Sequence, residues 1–293
     1  MQKLYQYLRL VRIHQWTKNL FIFLPAFFAL KLLDYTIVSE LVITFTAFSL
    51  LASAVYVFND MLDIENDKIH PTKKNRPLAS GTITKNEGIV LIVVLLCSSA
   101  AIFMILGNYV VMFISGLYLL QNILYTIKLK NISIIDIMLI ATGFVFRILI
   151  GGAATDTKLS HWIILMTLVL ALFLALAKRR DDVFNFLQTG QSARKNLQGY
   201  NMEFLNVAIT VMATIVIVCY IMYCTSSEVT ARFGDNIYLT SFFVILGVLR
   251  YLQLTFVWLI TGSPTNVLLK NAFLQVILIG WIVTFFLIIY LKI

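Results

Sequence analysis

The chain has 293 residues, of which 60% are hydrophobic and only 13% charged, and its 23 Lys and Arg against 14 Asp and Glu give a formal net charge of +9. A soluble domain carries about 25% charged residues, and no polar stretch here is long enough to build one, so soluble enzymes and soluble binding modules are excluded. What remains is an all-α integral membrane protein, expected as one domain over residues 1–293.

The N-terminal stretch "MQKLYQYLRLVRIHQWTKN" has no small-residue cleavage site behind an apolar core, so no cleaved signal peptide is expected. Leu4, Leu8 and Val11 recur at helical spacing with Lys3, Arg9 and Arg12 between them, which predicts a short helix on the membrane surface over 1–16. Nine apolar segments follow, at roughly 17–33, 38–58, 87–106, 108–127, 132–153, 161–178, 204–224, 238–258 and 272–291. Most approach the ~20 residues a helix needs to cross the hydrocarbon. The alternating ten-residue strands of a closed barrel are absent, so a nine-helix transmembrane bundle is expected. Cys97, Cys219 and Cys224 lie in apolar runs without metal-ligand spacing and read as small hydrophobes.

With nine crossings, the N-terminus and the connections after the second, fourth, sixth and eighth spans share one side. Seventeen of the 23 Lys and Arg fall on that side and four on the other, with Arg147 and Arg250 inside spans. The positive-inside rule places the N-terminus and these connections in the cytoplasm and the C-terminus outside, at the inner membrane of the cell. Orientation accounts for the net charge, so nucleic acid is not an expected partner. Two cytoplasmic connections, 59–86 and 179–203, are longer and more polar than turns require. Polar segments at matching places in a bundle can jointly line a cavity, so a cytoplasm-facing active site is expected.

The first of these connections opens with "NDMLDIENDKIHPTKKNRPLASG". Asn59, Asp63 and Asp67 stand at i, i+4 and i+8, along one helix face, with Asp60 one position round and Glu65 pointing elsewhere. Oxygen ligands at this spacing suit a hard cation such as Mg²⁺, which bridges readily to phosphate oxygens. The plainer reading is a solvated helix end whose acids balance Lys68, Lys73 and Lys74. Downstream, Lys73, Lys74 and Arg76 precede "PLASG", and the proline holds Arg76 in an extended or turn backbone. Cations there can clamp the outer oxygens of a diphosphate, or simply meet anionic lipid.

Further along, Asp136 and Arg147 lie eleven residues apart in the fifth span, on one face with Gly143 and Gly151. Charges inside a span normally face a polar cavity or a partner, so the two read either as part of a site or as structural ion pairs, and Asp136 could equally orient Lys130. Arg147 is the more telling, deep in the span with five donors that suit phosphate. Arg250 lies about two turns from its helix end and either snorkels to the interface or serves function. His161 with Trp162, and likewise Trp16 and Trp258, fit an interfacial aromatic belt, so His161 is not expected to act as a base.

The pattern Asn59-Asp60-x-x-Asp63-x-x-x-Asp67 followed by Arg76-Pro77-x-Ala79-x-Gly81 resembles the first aspartate-rich motif of the UbiA superfamily of intramembrane prenyltransferases. Within it, "RIHQWTKNLFIFLP", "YTIKLKNISIIDIMLIATGFVFRILIGG" and "SHWIILMTLVLALFLALAKRRDDV" are most similar to the branch that forms decaprenyl-phosphate (polyprenyl-phosphate) phosphoribose. The resemblance covers the first six spans and is weak beyond them. It implies a nine-helix UbiA-like bundle and a Mg²⁺-dependent transfer of 5-phosphoribose from phosphoribosyl pyrophosphate to a polyprenyl phosphate, a step suited to cell-wall biosynthesis. By position, Asn59, Asp60, Asp63 and Asp67 would hold Mg²⁺, with the three aspartates and Arg147 counted as catalytic. Lys18, Lys73, Arg76, Tyr125 and Lys130 would bind substrate phosphates, as would Lys178, Arg179 and Asp182 of the second motif, where Lys178 and Arg179 read as surplus, unpaired charge.

Two departures bear on this. Prenyl-diphosphate users carry a second run of spaced aspartates after the sixth span, whereas "KRRDDVFNF" offers a basic triplet and adjacent Asp181-Asp182, which favours the phosphoribosyl branch. In "GSPTNVLLKN", Asn271 stands where that branch would have an aspartate. The alternatives are an aromatic prenyltransferase built on the same first motif, and an anion transporter reading its solute with Arg147 and Arg250. Against the transporter, the four prolines are not paired in broken helices.

Overall fold

Helices in this chain begin where the sequence supplies a capping side chain. Asp34 accepts from the Thr36 amide at 2.9 Å and opens a 28-residue helix. Thr84 and Glu87 cap each other's backbone reciprocally, and Asn108, Asn201 and Asn271 accept from amides of the turns they open. Residues 2–69, 73–189, 195–259, 267–268 and 270–291 are described by a computed structural model, and all regular structure among them is helical. In chain order the helices are α1 (Gln2–Val11), a 3₁₀ run (Ile13–Phe23), α2 (Leu24–Phe28), α3 (Tyr35–Leu62), α4 (Ile64–Lys68), α5 (Lys85–Leu106), α6 (Tyr109–Ile127), α7 (Ile135–Ala154), α8 (His161–Thr189), α9 (Met202–Thr225), α10 (Ser227–Phe233), α11 (Ser241–Phe256) and α12 (Ala272–Leu291), with short 3₁₀ turns between. They group into two compact units divided after Ser160.

Eight of these helices are long and apolar enough to cross a membrane, and they coincide with the expected spans from the second onward. The first expected span, 17–33, differs. It is not one long α-helix but eleven residues of 3₁₀ helix followed by the five of α2. Local chemistry accounts for this: Arg12 turns the chain with φ 56°, and Pro25 offers no amide to the helix ladder. Asn19 and Ile22 are fully buried, so the segment is pressed into the first unit along α7. It nevertheless travels the length of that unit. Arg12 at its start pairs with Asp60 near the end of α3, while Lys31 just past its end donates to the carbonyls of Thr155 and Asp156 beyond α7 at 2.9 and 3.3 Å.

That close approach depends on Gly151. A Cβ there would lie 2.0 Å from the Ile22 carbonyl oxygen, and backbone cannot step aside as a flexible side chain can. Gly151→Ala is therefore expected to destabilise the protein by about 2 kcal/mol or more, read as a lowered melting midpoint in detergent. Gly143→Ala is the control, because its nearest neighbour would be an ordinary contact at 3.6 Å.

In the first unit, α3 packs against α5, and α6 against α7, around Phe48, Leu51, Val55 and Tyr118. The N-terminal helix docks through Leu10, which is fully buried beside Val57, Leu78 and Ile83, and leaves Leu4 and Leu8 exposed, as a surface helix with an outward apolar face would. In the second unit α8 packs on α9, and α11 on α12. The stretch expected as a loop at 179–203 is helical over its first eleven residues, because no helix breaker precedes Gly190 and Arg180 is tied down by Asn206 and the Thr255 carbonyl, each at 2.8 Å. Residues 190–194 lie outside the described residues.

Candidate active site

The acidic stretch begins inside α3 and leaves it at Asp63, which caps α3 and opens α4 with φ −94° and ψ 5°. The break regroups the acids. Instead of Asn59, Asp63 and Asp67 forming one row with Asp60 beside it, Asp60 and Asp67 converge, and Asn59 pairs with Asp63 at 3.2 Å. Both Asp60 and Asp67 are only 3% exposed, and one nitrogen of Arg76 lies between them, 3.0 Å from Asp60 Oδ1 and 2.6 Å from Asp67 Oδ2. Arg12 donates to the same Asp60 oxygen. Lys130 reaches Asp63 at 2.7 Å.

Arg76 owes its position to the turn that follows it. The Ile83 amide and the Thr82 hydroxyl both donate to the Pro77 carbonyl at 3.1 Å, the Ser80 amide bonds the Arg76 carbonyl at 2.8 Å, and Leu78 and Ile83 are buried beneath. Gly81 supplies the φ of 76° that closes this turn. The motif "RPLASG" is thus a compact scaffold that aims one guanidinium back at two carboxylates. Lys73 begins the 3₁₀ turn just before it.

Beside these groups lies a cavity of about 390 Å³ lined by Arg9, Arg12, His14, Asp60, Arg76 and Pro77. Arg9 is held over it by the Asn75 carbonyl at 3.2 Å and by the ring of Tyr5, and Arg12 is stacked on Tyr56. Burial, and after it the charges of Arg12 and Lys18, push the His14 imidazole below its ordinary value, so at pH 7 it is a neutral hydrogen-bonding wall. The cavity's positive charge therefore comes from three arginines. The sequence reading passed over Arg9, Arg12 and His14 as a surface helix and its exit. The available signal was their spacing: they end α1 and enter the 3₁₀ run within six positions, and Arg12 and His14 open the matching stretch "RIHQWTKNLFIFLP".

Arg147 occupies a second polar spot in the same unit. It is 4% exposed and donates to Asn19 Oδ1 at 2.8 Å, to the Gly143 carbonyl at 2.6 Å and to the Tyr118 hydroxyl at 3.4 Å. The rings of Phe48, Tyr118 and Phe144 surround it, each centred 5.3 Å away. Its side-chain partner from another segment is the neutral Asn19 and not a carboxylate. Among the described residues no carboxylate pairs with Arg147, which leaves donors for an anion. Lys18 adjoins Asn19 and lies within electrostatic reach of both Arg147 and Arg12. Tyr125 is half-buried on α6 and joins neither group through a hydrogen bond.

The second motif belongs to α8. Arg179 is buried and pairs with Asp182 at 2.8 Å, so its expected unpaired charge is corrected: one turn of helix brings its counter-ion beneath it. Lys178 is exposed. Asn271 has a local purpose as well, since its side chain accepts from the Leu274 amide at 3.1 Å at the start of α12, a duty Asn performs as well as Asp.

Among the described residues no three Asp, Glu, His or Cys side chains stand clustered for a metal, because each carboxylate is closed onto a cation. The donor set itself suits one. Two buried carboxylates already converge on a single point of positive charge at Arg76, and hard oxygen donors of this kind are what Mg²⁺ takes.

Eight of the described helices are long and apolar enough to cross a membrane, one connection gathers acids with arginines around them, and the UbiA prenyltransferase family model matches residues 19–262. The chain belongs to that family. It is 30% identical over 289 residues to a protein named decaprenyl-phosphate phosphoribosyltransferase in Mycolicibacterium smegmatis, covering 94% of this chain and 90% of that one. It is 28% identical over 282 residues to a protein of the same name in Corynebacterium glutamicum, covering 94% and 84%. Its fold is similar to that of a UbiA homologue from Archaeoglobus fulgidus solved with DMAPP and Mg²⁺, with a TM-score of 0.70 and 17% identity over 97% of this chain and 99% of that one.

Proposed function

We propose that this protein transfers 5-phosphoribose from phosphoribosyl pyrophosphate to a polyprenyl phosphate, releasing pyrophosphate, in a Mg²⁺-dependent reaction. The observation that carries this reading is the arginine-lined cavity beside the acidic group. Phosphoribosyl pyrophosphate presents two separate anions, a diphosphate on C1 and a phosphate on C5, and needs two cationic sites; a prenyl diphosphate has one anion and an apolar tail. The names of the relatives support the same choice.

In this reading Asn59, Asp60, Asp63 and Asp67 hold Mg²⁺, which supplies charge neutralisation for the departing pyrophosphate. Arg76 and Lys73 bind outer oxygens of the diphosphate, and Arg9 and Arg12 bind the 5-phosphate. Arg12 and Arg76 each exchange a carboxylate partner for a phosphate without leaving the site, so the ligand-free chain stores its cations where the substrate needs them. The C1–O bond to pyrophosphate breaks as an oxygen of the acceptor phosphate bonds to C1. That oxygen is already anionic at neutral pH, so no strong general base is required. Arg147, with Lys18 near it, is suited to the acceptor phosphate, and Lys130 braces Asp63; Tyr125, and Lys178, Arg179 and Asp182 on α8, are proposed as phosphate binders on the family resemblance alone.

The whole chain works as one UbiA domain in this proposal, since the family match runs across both compact units. Nine crossings follow if the run 17–33 counts as the first. The end carrying the acidic group and the N-terminus then faces the cytoplasm and the C-terminus lies outside, at the inner membrane.

The test is direct. Purified protein given radiolabelled phosphoribosyl pyrophosphate and a polyprenyl phosphate should move label into the lipid extract with Mg²⁺, lose that transfer with chelator, and regain part of it with Mn²⁺. Label transfer unaffected by chelator would remove the metal from the proposal. A protein that ignores phosphoribosyl pyrophosphate but consumes a prenyl diphosphate with an aromatic acceptor would overturn the donor.

A further inference from the structure

The second unit holds a cation that the proposed reaction does not use. Arg250 sits on α11, six residues before its end at Phe256, about 9 Å along the axis and therefore within the apolar span. It lines a cavity of about 330 Å³ with Leu246, Leu249, Gln253 and Phe273. Its guanidinium lies over the Trp258 ring at 4.2 Å and the Phe273 ring at 5.0 Å, and one nitrogen donates to Gln253. Its Nε is buried with no hydrogen-bond partner.

An arginine rooted in an apolar span is costly unless its charge reaches a partner, a polar cavity or the interface, and here the guanidinium lies against Trp258, a ring that fits the interfacial belt. No partner of opposite charge is at hand. Among the described residues no carboxylate pairs with Arg250, and the chain has no Asp or Glu after Asp235, so none of the residues from α11 to the C-terminus can supply one. The surroundings are also open to the bilayer: Leu249 is 54% exposed and Phe273 48%. A fixed guanidinium on a lipid-facing wall, with an apolar floor and one unused donor, matches an anionic head attached to an apolar tail.

We propose that the Arg250 cavity binds the phosphate group of a membrane lipid, with the lipid chain lying along Leu246, Leu249 and Phe273. The chemistry is shared by two sources, an anionic phospholipid and a polyprenyl phosphate, and binding measurements tell them apart. Trp258 provides a reporter because it touches the guanidinium directly.

The experiment uses the purified full-length protein in nanodiscs of phosphatidylcholine containing either brominated phosphatidylglycerol or brominated phosphatidylcholine, with tryptophan emission as the readout. The Trp258→Phe variant isolates the contribution of this ring from Trp16, Trp162 and Trp281. Trp258 should be quenched at roughly tenfold lower content of the brominated phosphatidylglycerol than of the phosphatidylcholine, the scale of one charge-assisted hydrogen bond. Arg250→Gln should abolish that preference and Arg250→Lys should keep most of it, which separates loss of charge from loss of fold. Unlabelled polyprenyl phosphate that relieves the quenching at lower content than unlabelled phosphatidylglycerol identifies the prenyl lipid as occupant, and the reverse order identifies the phospholipid. Equal quenching by the two brominated lipids in the wild type, or a preference that survives in Arg250→Gln, would overturn the proposal.

Discussion

Asp63→Asn should lower turnover by about a thousandfold while leaving the protein folded. The carboxylates are proposed to hold the metal that stabilises the departing pyrophosphate, and such a metal contributes several kcal/mol of transition-state stabilisation, each 1.36 kcal/mol being tenfold in rate. The choice of Asp63 over its neighbours rests on burial. Asp60 and Asp67 are nearly inaccessible and each is paired with arginine, so neutralising either strands a partly buried cation and costs stability as well as activity. Asp63 is 24% exposed and its partner Lys130 21%, so solvent can take over when that pair is broken. The melting midpoint of Asp63→Asn should therefore stay close to wild type, with turnover lost in the lipid-extraction assay. Wild-type turnover in this variant at limiting Mg²⁺ would remove Asp63 from the proposed metal site.

The parts of this molecule that were legible from sequence are those governed by local rules. Apolar length located eight membrane helices, because a helix in lipid must satisfy its own backbone and has little freedom beyond that. The acidic stretch and "RPLASG" were legible as a unit because spacing and turn chemistry are also local. What spacing missed was long-range. A helix face drawn through Asn59, Asp63 and Asp67 assumed a continuous helix, but α3 ends at Leu62, and the distant Arg76 gathers Asp60 and Asp67 instead. Arg12 acquires its place only through a left-handed turn that nothing in its neighbours requires. Arg147 was identified as a deep cation, but its partner Asn19, 128 residues away in sequence, was not legible from spacing. The first span was misread in form because hydropathy does not distinguish a 3₁₀ run packed on Gly151 from an ordinary α-helix.

Arg12→Gln should raise the Michaelis constant for phosphoribosyl pyrophosphate by roughly ten- to a hundredfold and change that for the polyprenyl phosphate much less. One charge-assisted hydrogen bond to phosphate is worth about 1.5–3 kcal/mol, and Arg12 is sufficiently enclosed, 22% exposed with its face on Tyr56, to keep most of that. Fold is expected to survive, because Asp60 retains Arg76 and Gln fills similar space without adding a branched Cβ at φ 56°. Arg9→Gln tests the outer wall of the same cavity. Its effect should have the same direction but be smaller, since the side chain is exposed and solvent screens it. The split between the two substrates is what decides. A prenyl diphosphate has no second, separate anion for this cavity, so an enzyme using one would lose little on either substitution, and its residual sensitivity would lie in Arg76. Arg179 is a weaker probe, because its charge is already spent on Asp182. Equal effects on donor and lipid would mean that Arg12 acts by supporting Asp60 alone, and the donor assignment would then lose the observation on which it rests.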